Sequence, residues 1–254
     1  MEDTDPRLKQ ALLAHSEGRH DEALELLRAL FGEVDAATLS IGRAHYFGLM
    51  FQWRMLLEDY PPARAPLIAL RDRQVARLLD GDPGFGQRET TGIERLPSRF
   101  AVIVEMNDML GDTRSTYEVF VRLDAAQPGL ARAHAWRALP AVVDMGDFRL
   151  ADRYRGDPLA LLDVVNDNAR TFPLMPPPRQ APRLAAELVN FMRDVRIGCA
   201  VLRGLGRADE ADALRTVALA GLQAQAVREM GQRELDEPGV IFRELAGREA
   251  AQAS

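Results

Sequence analysis

The chain has 254 residues, of which 47% are hydrophobic and 28% are charged, and its formal net charge is −6 at pH 7. This balance excludes a wholly disordered chain and gives no general attraction to nucleic acid or to an anionic membrane. Cys199 is the only cysteine, which excludes an internal disulfide and a cysteine-based metal site. Aromatic residues make up only 6% of the chain, while alanine, leucine and arginine abound, so the composition favours helix over sheet.

Neither a leader nor a membrane span is expected from the sequence. The first residues, Met1–Asp5, are acidic and lack the basic segment that opens a signal peptide. The longest apolar runs, Ala101–Val104 and Ala138–Val143, are far shorter than the roughly 18 residues that cross a bilayer. We therefore expect a cytoplasmic protein.

Apolar residues recur at helical spacing along most of the chain. The pattern is present in Ala23–Phe31 and Leu67–Leu79, and it is clearest in a long segment that begins near Leu184. One apolar stripe on that segment comprises Leu188, Phe191, Met192, Val195, Cys199 and Leu202. Ala101–Val104 alone has strand character, and its helical surroundings favour helix. The predicted fold class is all-α.

Two stretches interrupt the helices. An irregular loop near 80–97 opens with Asp80-Gly-Asp-Pro-Gly-Phe-Gly86, and a proline-rich connector lies near 171–182. The glycines of the loop are not followed by Gly-Lys-Ser/Thr and no predicted strand precedes them, so a phosphate-binding loop is not supported. We interpret this stretch as a flexible insertion between packed units.

Five short segments share one pattern, in which a turn residue is followed by polar or aromatic residues and then by a small residue that opens a new apolar stripe. Glycine at the end of one helix and a small residue at the start of the next are typical of an αα-hairpin. The intervals between the turns are about 40, 53, 35 and 60 residues, against roughly 34 to 47 in helical repeats. The segments are Gly18–Ala23, Glu58–Ala63, Gly111–Thr116, Gly146–Ala151 and Gly206–Ala211.

These residues resemble the tetratricopeptide-repeat family. Gly18-Arg-His-Asp-Glu-Ala-Leu-Glu-Leu-Leu-Arg-Ala-Leu30 is similar to the turn and second helix of that repeat, and the turns at Gly146 and Gly206 match it well. The resemblance implies a single domain over 1–254, built as a right-handed superhelix whose first helices line a concave groove that binds a partner. The lysine and asparagine with which the family clamps a peptide carboxylate are not reproduced.

No catalytic constellation is apparent in the sequence. The four histidines form no metal-binding pair, and no Gly-x-Ser-x-Gly elbow is present. Cys199 lies on an apolar stripe, which favours a buried small side chain over a nucleophile. Glu105 and Asp108 lie three residues apart on one helix face, where they could act as an acid–base pair or line a groove.

One helix carries an unusual number of aromatic residues, including Tyr46, Phe47, Phe51 and Trp53. Their angular spread around a helix exceeds a single apolar stripe. The helix is therefore either buried on two sides or presents part of its surface to a partner.

The resemblance also implies which residues face the groove. Near one end of the chain Arg193, Arg196 and Arg203 lie on one helix face, where guanidinium groups would favour an acidic or phosphorylated partner. The remaining candidates are Lys9, His45, Gln52, Glu105, Asp108, Trp136 and Arg137.

The predicted function is a noncatalytic module, without a cofactor or a metal, that binds a protein or peptide as an adaptor, a regulator or a bacterial toxin-neutralising partner. The alternative is an enzyme or small-ligand sensor with a site in a helical pocket, using Glu105, Asp108, His134 or Arg193.

Overall fold

A computed structural model describes residues 5–38, 42–86, 96–178 and 180–253. Those residues form α-helices joined by turns and loops, and they contain no strand. The all-α class is therefore confirmed for the described part of the chain. The helices are α1 (Pro6–Ser16), α2 (His20–Asp35), α3 (Arg43–Asp59), α4 (Arg64–Leu79), α5 (Arg99–Leu110), α6 (Thr113–Ala126), α7 (Pro128–Asp144), α8 (Phe148–Tyr154), α9 (Leu162–Thr171), α10 (Arg183–Gly204), α11 (Ala208–Gly221), α12 (Gln225–Asp236) and α13 (Val240–Ala253), with a short 3-10 turn at Pro61–Ala63.

All five predicted turns separate consecutive helices. Gly18, Gly111, Gly146 and Gly206 have φ between +63° and +78°, a left-handed conformation that ends a helix at little cost only in glycine. The small residue that closes each turn segment is 3% exposed or less. A larger side chain there would separate the two helices of the hairpin. These residues are Ala23, Ala63, Thr116, Ala151 and Ala211.

The chain consists of two compact units, residues 1–138 and 139–254. The boundary between them falls within α7. Each unit has its own hydrophobic core. The resemblance predicted a single domain built as a right-handed superhelix. Both the single domain and the superhelix stay predictions.

The first unit packs its core between the helical hairpins of α1 to α5. The largest fully buried apolar side chains there include Phe31, Tyr46, Trp53 and Leu67. Leu96, just before α5, also belongs to this core and lies against Gly86, at which an added Cβ atom would overlap the leucine side chain. Position 86 also has φ of +67°, a left-handed conformation that favours glycine.

The loop after α4 is anchored along its described part, residues 80–86. Arg99 is 1% exposed and directs its guanidinium at this loop. Its Nε donates to the Asp82 carbonyl at 2.8 Å, and Nη2 donates to the Asp82 carboxylate at 2.9 Å. Nη1 donates to Asp35 of α2 at 2.7 Å and to Gln74 of α4, and the Arg99 amide donates to the Pro83 carbonyl at 3.0 Å. A buried cation therefore bonds this stretch to three helices, while the flexibility expected of it stays a prediction; residues 87–95 lie outside the described part of the chain.

The second unit is organised around α10, whose predicted apolar stripe is buried. Gly204 on this helix has Phe148 so close that an added Cβ would overlap its ring. Asn166 of α9 binds the backbone at the end of α11. Its side-chain amide donates to the Gly221 carbonyl at 3.0 Å, and its side-chain oxygen accepts from the Gln223 amide at 3.0 Å. The connector expected near 171–182 runs from the end of α9 to the start of α10.

No helix in the described ranges is both long enough and apolar enough to cross a membrane.

Candidate functional site

The aromatic helix α3 is buried on one side and exposed on the other. Tyr46 and Trp53 are fully buried. Phe47 and Phe51, one turn apart, are 47% and 56% exposed. The helix is therefore not buried on two sides: the first pair fills the core, and the second pair exposes two phenyl rings. A partner for this exposed side stays a prediction.

A hydrogen bond joins this helix to α5. The Tyr46 hydroxyl donates to Glu105 Oε2 at 2.7 Å, and burial of both groups fixes the carboxylate in place. The same burial raises the pKa of Glu105 above its ordinary value, although the bond from Tyr46 and the nearby Arg54 and Arg137 act in the opposite direction. Burial and the carboxylate together raise the pKa of Tyr46. The bond from Tyr46 thus fixes the position of the Glu105 carboxylate, and the nearby arginines do not fully offset the effect of burial on its charge.

Asp108 lies one turn further along α5 and is more exposed than Glu105. Loss of hydration raises its pKa, and the positive charge of Arg54 lowers it in part. Arg54 belongs to α3, where it follows Phe47 and Phe51 at helical spacing. The two helices therefore share a surface, here called the α3–α5 face, which comprises Phe47, Phe51, Arg54, Glu105 and Asp108.

Trp136 and Arg137 of α7 lie in the same unit. Trp136 is 48% exposed, and the Arg137 guanidinium lies over its ring at 4.1 Å from the centroid. Arg137 also lies within electrostatic reach of Glu105. The structure thus brings together four of the predicted groove residues, those on α5 and those on α7.

Three other predicted groove residues in this unit are placed differently. Lys9 is exposed on α1, and Gln52 is half-buried on α3. His45 accepts a hydrogen bond at Nε2 from the Asp5 amide at 2.9 Å. This bond ties the start of α1 to α3, which gives His45 a structural role.

The arginines of α10 share a helix face in the second unit but differ in their surroundings. Arg193 and Arg196 are half-buried, and Arg203 is exposed. Arg203 pairs with Asp212 at 2.8 Å, and Arg193 lies 3.3 Å from Asp194. Nη1 of Arg196 is buried and has no hydrogen-bond partner among the described residues. The acidic partner expected for this strip stays a prediction.

Cys199 and His20, two residues whose side chains could in principle do chemistry, make packing contacts in the structure. Cys199 is buried, its thiol donates to the Ala211 carbonyl at 3.3 Å, and burial raises its pKa. His20 stacks on Tyr60 with 5.3 Å between the ring centroids. Within the ranges that the structure describes, no group of three or more histidine, cysteine, aspartate or glutamate side chains could hold a metal ion.

The sequence prediction omitted Arg54, although this residue connects the aromatic and acidic parts of the α3–α5 face. Its position three residues after Phe51 was the available signal, because residues at that spacing share a helix face. The interpretation assigned groove residues from the repeat register instead, which selected Gln52.

No model of a known protein family matches the chain, and neither a curated protein nor a solved structure matches it.

Proposed function

We propose that this protein is a noncatalytic, tetratricopeptide-like helical-repeat module that binds a peptide segment of a partner protein on the α3–α5 face. The observation that carries the proposal is the exposure of Phe47 and Phe51 on the same helix as Tyr46, whose hydroxyl donates to the carboxylate of Glu105. Adjacent exposed aromatic side chains are typical of interaction surfaces, where they contribute much of the binding free energy.

The charges of this face favour a segment that carries a basic side chain next to apolar ones. Both Glu105 and Asp108 have raised pKa values despite the presence of Arg54. A lysine or arginine from a partner would compensate their negative charge, while its apolar neighbours would cover the two phenyl rings.

Selection from a random peptide display library tests this proposal directly. The purified chain is the target, and the enriched peptides are then titrated by fluorescence anisotropy. We expect the enriched peptides to combine basic and apolar residues. We expect Phe51→Asp to weaken their binding at least tenfold, or by about 1.4 kcal/mol, because an exposed position tolerates the charge without unfolding.

Val121→Asp is the matched control, since Val121 is an exposed apolar residue on α6 of the same unit. Its peptide affinities should equal those of the wild type. Equal losses in both variants, or a library that yields no peptide dependent on Phe51, would refute binding at this face.

A further inference from the structure

A cleft of about 260 Å³ lies in the first unit, beside the ends of α3 and α5. Its volume is below the roughly 300–1,000 Å³ of sites that hold drug-sized ligands, so it suits a smaller molecule. Side chains of both charges line this cleft. The charged lining residues are Arg54, Glu58, Arg64 and Asp108.

Three of these four charged side chains have no partner in the part of the chain that the structure describes. Arg54 and Glu58 are four residues apart on α3, so they share a helix face. Asp108 belongs to the last turn of α5. None of the three side chains forms a hydrogen bond or an ion pair with a described residue, so their donor and acceptor groups are available to a ligand.

Arg54 and Asp108 influence each other without forming an ion pair. The positive charge of Arg54 lowers the pKa of Asp108, but the loss of hydration has the larger effect and the pKa is raised. The carboxylate thus carries a cost that Arg54 does not remove. A ligand with a positive group next to Asp108 would reduce this cost, and a negative group on the same ligand could bind Arg54.

The helix ends favour a positive ligand group beside the two carboxylates. Glu58 and Asp108 lie in the last turns of α3 and α5, and neither helix has a basic residue in its last turn. The negative ends of the two helix dipoles therefore add to the negative charge there. An ammonium group matches this position, because its three N–H donors can bind two carboxylates at once.

Arg64 contributes a second cation, whose position is fixed. Its Nη2 donates to the Leu110 carbonyl at the end of α5. Because a guanidinium has five N–H donors, Arg64 can keep this bond and still bind a carboxylate together with Arg54. A ligand of one charge only would be repelled by half of the charged lining, whereas a zwitterion is complementary to all of it.

The uncharged part of the lining is aliphatic. It consists of Leu57, Pro61 and Met109. Leu57 and Met109 also pack against the core of the first unit, which gives the cleft a stable apolar wall. No aromatic residue is among the described residues that line it, so the lining favours an aliphatic ligand side chain.

We propose that this cleft binds a free aliphatic α-amino acid in its zwitterionic form. Glu58 and Asp108 accept hydrogen bonds from its ammonium group. Arg54 and Arg64 donate to its carboxylate. The proposal goes beyond peptide binding, because the cleft shares two residues with the α3–α5 face but uses neither its phenyl rings nor Glu105.

Isothermal titration calorimetry of the full chain with L-leucine and three capped analogues tests the requirement for both charges. L-leucinamide lacks the carboxylate, N-acetyl-L-leucine lacks the ammonium group, and N-acetyl-L-leucinamide lacks both. We expect leucine to bind saturably and each singly capped analogue to bind at least tenfold more weakly. The doubly capped analogue should not bind.

Two variants assign each ligand charge to a side chain. Arg54→Met should remove most of the preference for leucine over leucinamide, and Asp108→Asn most of the preference for leucine over N-acetyl-leucine. Both side chains are exposed, so both variants should fold, which circular dichroism checks. Arg73→Met is the matched control, since Arg73 is an exposed arginine on α4 that does not line the cleft. It should keep both preferences.

Several results would overturn the proposal. The absence of saturation by leucine even at tens of millimolar would remove the site. Leucinamide that binds as tightly as leucine would assign the cleft to the amino terminus of a peptide, and N-acetyl-leucine that does so would assign it to a carboxyl terminus. Preferences that survive in both variants would place the ligand elsewhere.

The two proposals can fail separately. Peptides that depend on Phe51, without any binding of leucine, would refute the amino-acid site alone. Binding of leucine, without any peptide that depends on Phe51, would refute the peptide-binding face alone.

Discussion

Glu105 shows how one half-buried carboxylate connects stability with the proposed binding. Its pKa lies above that of an unfolded glutamate because burial disfavours its ionised form. Between those two pKa values the folded protein binds more protons than the unfolded chain, so this residue lowers stability as the pH rises. The cost is consistent with a residue retained for interaction with a partner.

Glu105→Gln removes this titration while keeping an oxygen that can accept from Tyr46. We expect the free energy of unfolding of the variant, relative to the wild type, to increase as the pH is raised from about 4 to about 7. Urea titrations at several pH values measure this difference.

Glu118→Gln is the control, since Glu118 is an exposed glutamate on α6 that pairs with Arg114. At pH 7 its free energy of unfolding should stay close to that of the wild type, because an exposed ion pair contributes little to stability. If the difference in free energy of unfolding between Glu105→Gln and the wild type stays constant over this pH range, burial does not raise the pKa of Glu105 as described.

At the scale of helices, the five hairpin turns were the most reliable signal in the sequence. The turn at Gly18 depends on a local backbone conformation that favours glycine, and close contact within one hairpin requires a small residue at Ala23. Both requirements restrict the residue type and can therefore be recognised in the sequence. By contrast, nothing in the turn pattern indicated α12 and α13. Glu234 is buried between them and accepts from the amides of Gly239 and Ile241 at 2.7 and 3.2 Å, a contact that becomes evident only in three dimensions.

The close helix contacts allow a direct test of the repeat register. Ala23→Leu and Ala211→Leu should each lower the free energy of unfolding by about 1–3 kcal/mol, because both alanines are buried at helix crossings. Ala29→Leu and Ala213→Leu, at exposed positions on the same two helices, serve as controls. Denaturant unfolding that fails to separate the buried pair from the exposed pair would show that the register is wrong.

The candidate site was predicted less completely than the fold. Glu105, Asp108, Trp136 and Arg137 were assigned to a groove from the repeat register, and that groove stays a prediction, although the structure places Arg137 within electrostatic reach of Glu105. The bonded position of residues 80–86 was not predicted at all. It depends on the long-range bonds of Arg99, and a single arginine near a loop gives no indication of which carboxylates it will bind.

For the whole molecule, the structure implies a far-ultraviolet circular dichroism spectrum dominated by helix. The composition, the periodicity and the thirteen helices in the described part of the chain agree on this point. A resolvable sheet component in the spectrum would contradict the all-α class and the hairpin assignment together.

The burial of Arg99 also has a consequence for the response to ionic strength. Dissolved ions screen exposed pairs such as Arg114 and Glu118, whose mutual attraction extends through water. Counterions cannot approach a guanidinium enclosed between Asp35 and Asp82 in the same way. Concentrated salt should therefore weaken the surface pairs of the first unit while the loop at residues 80–86 stays in place.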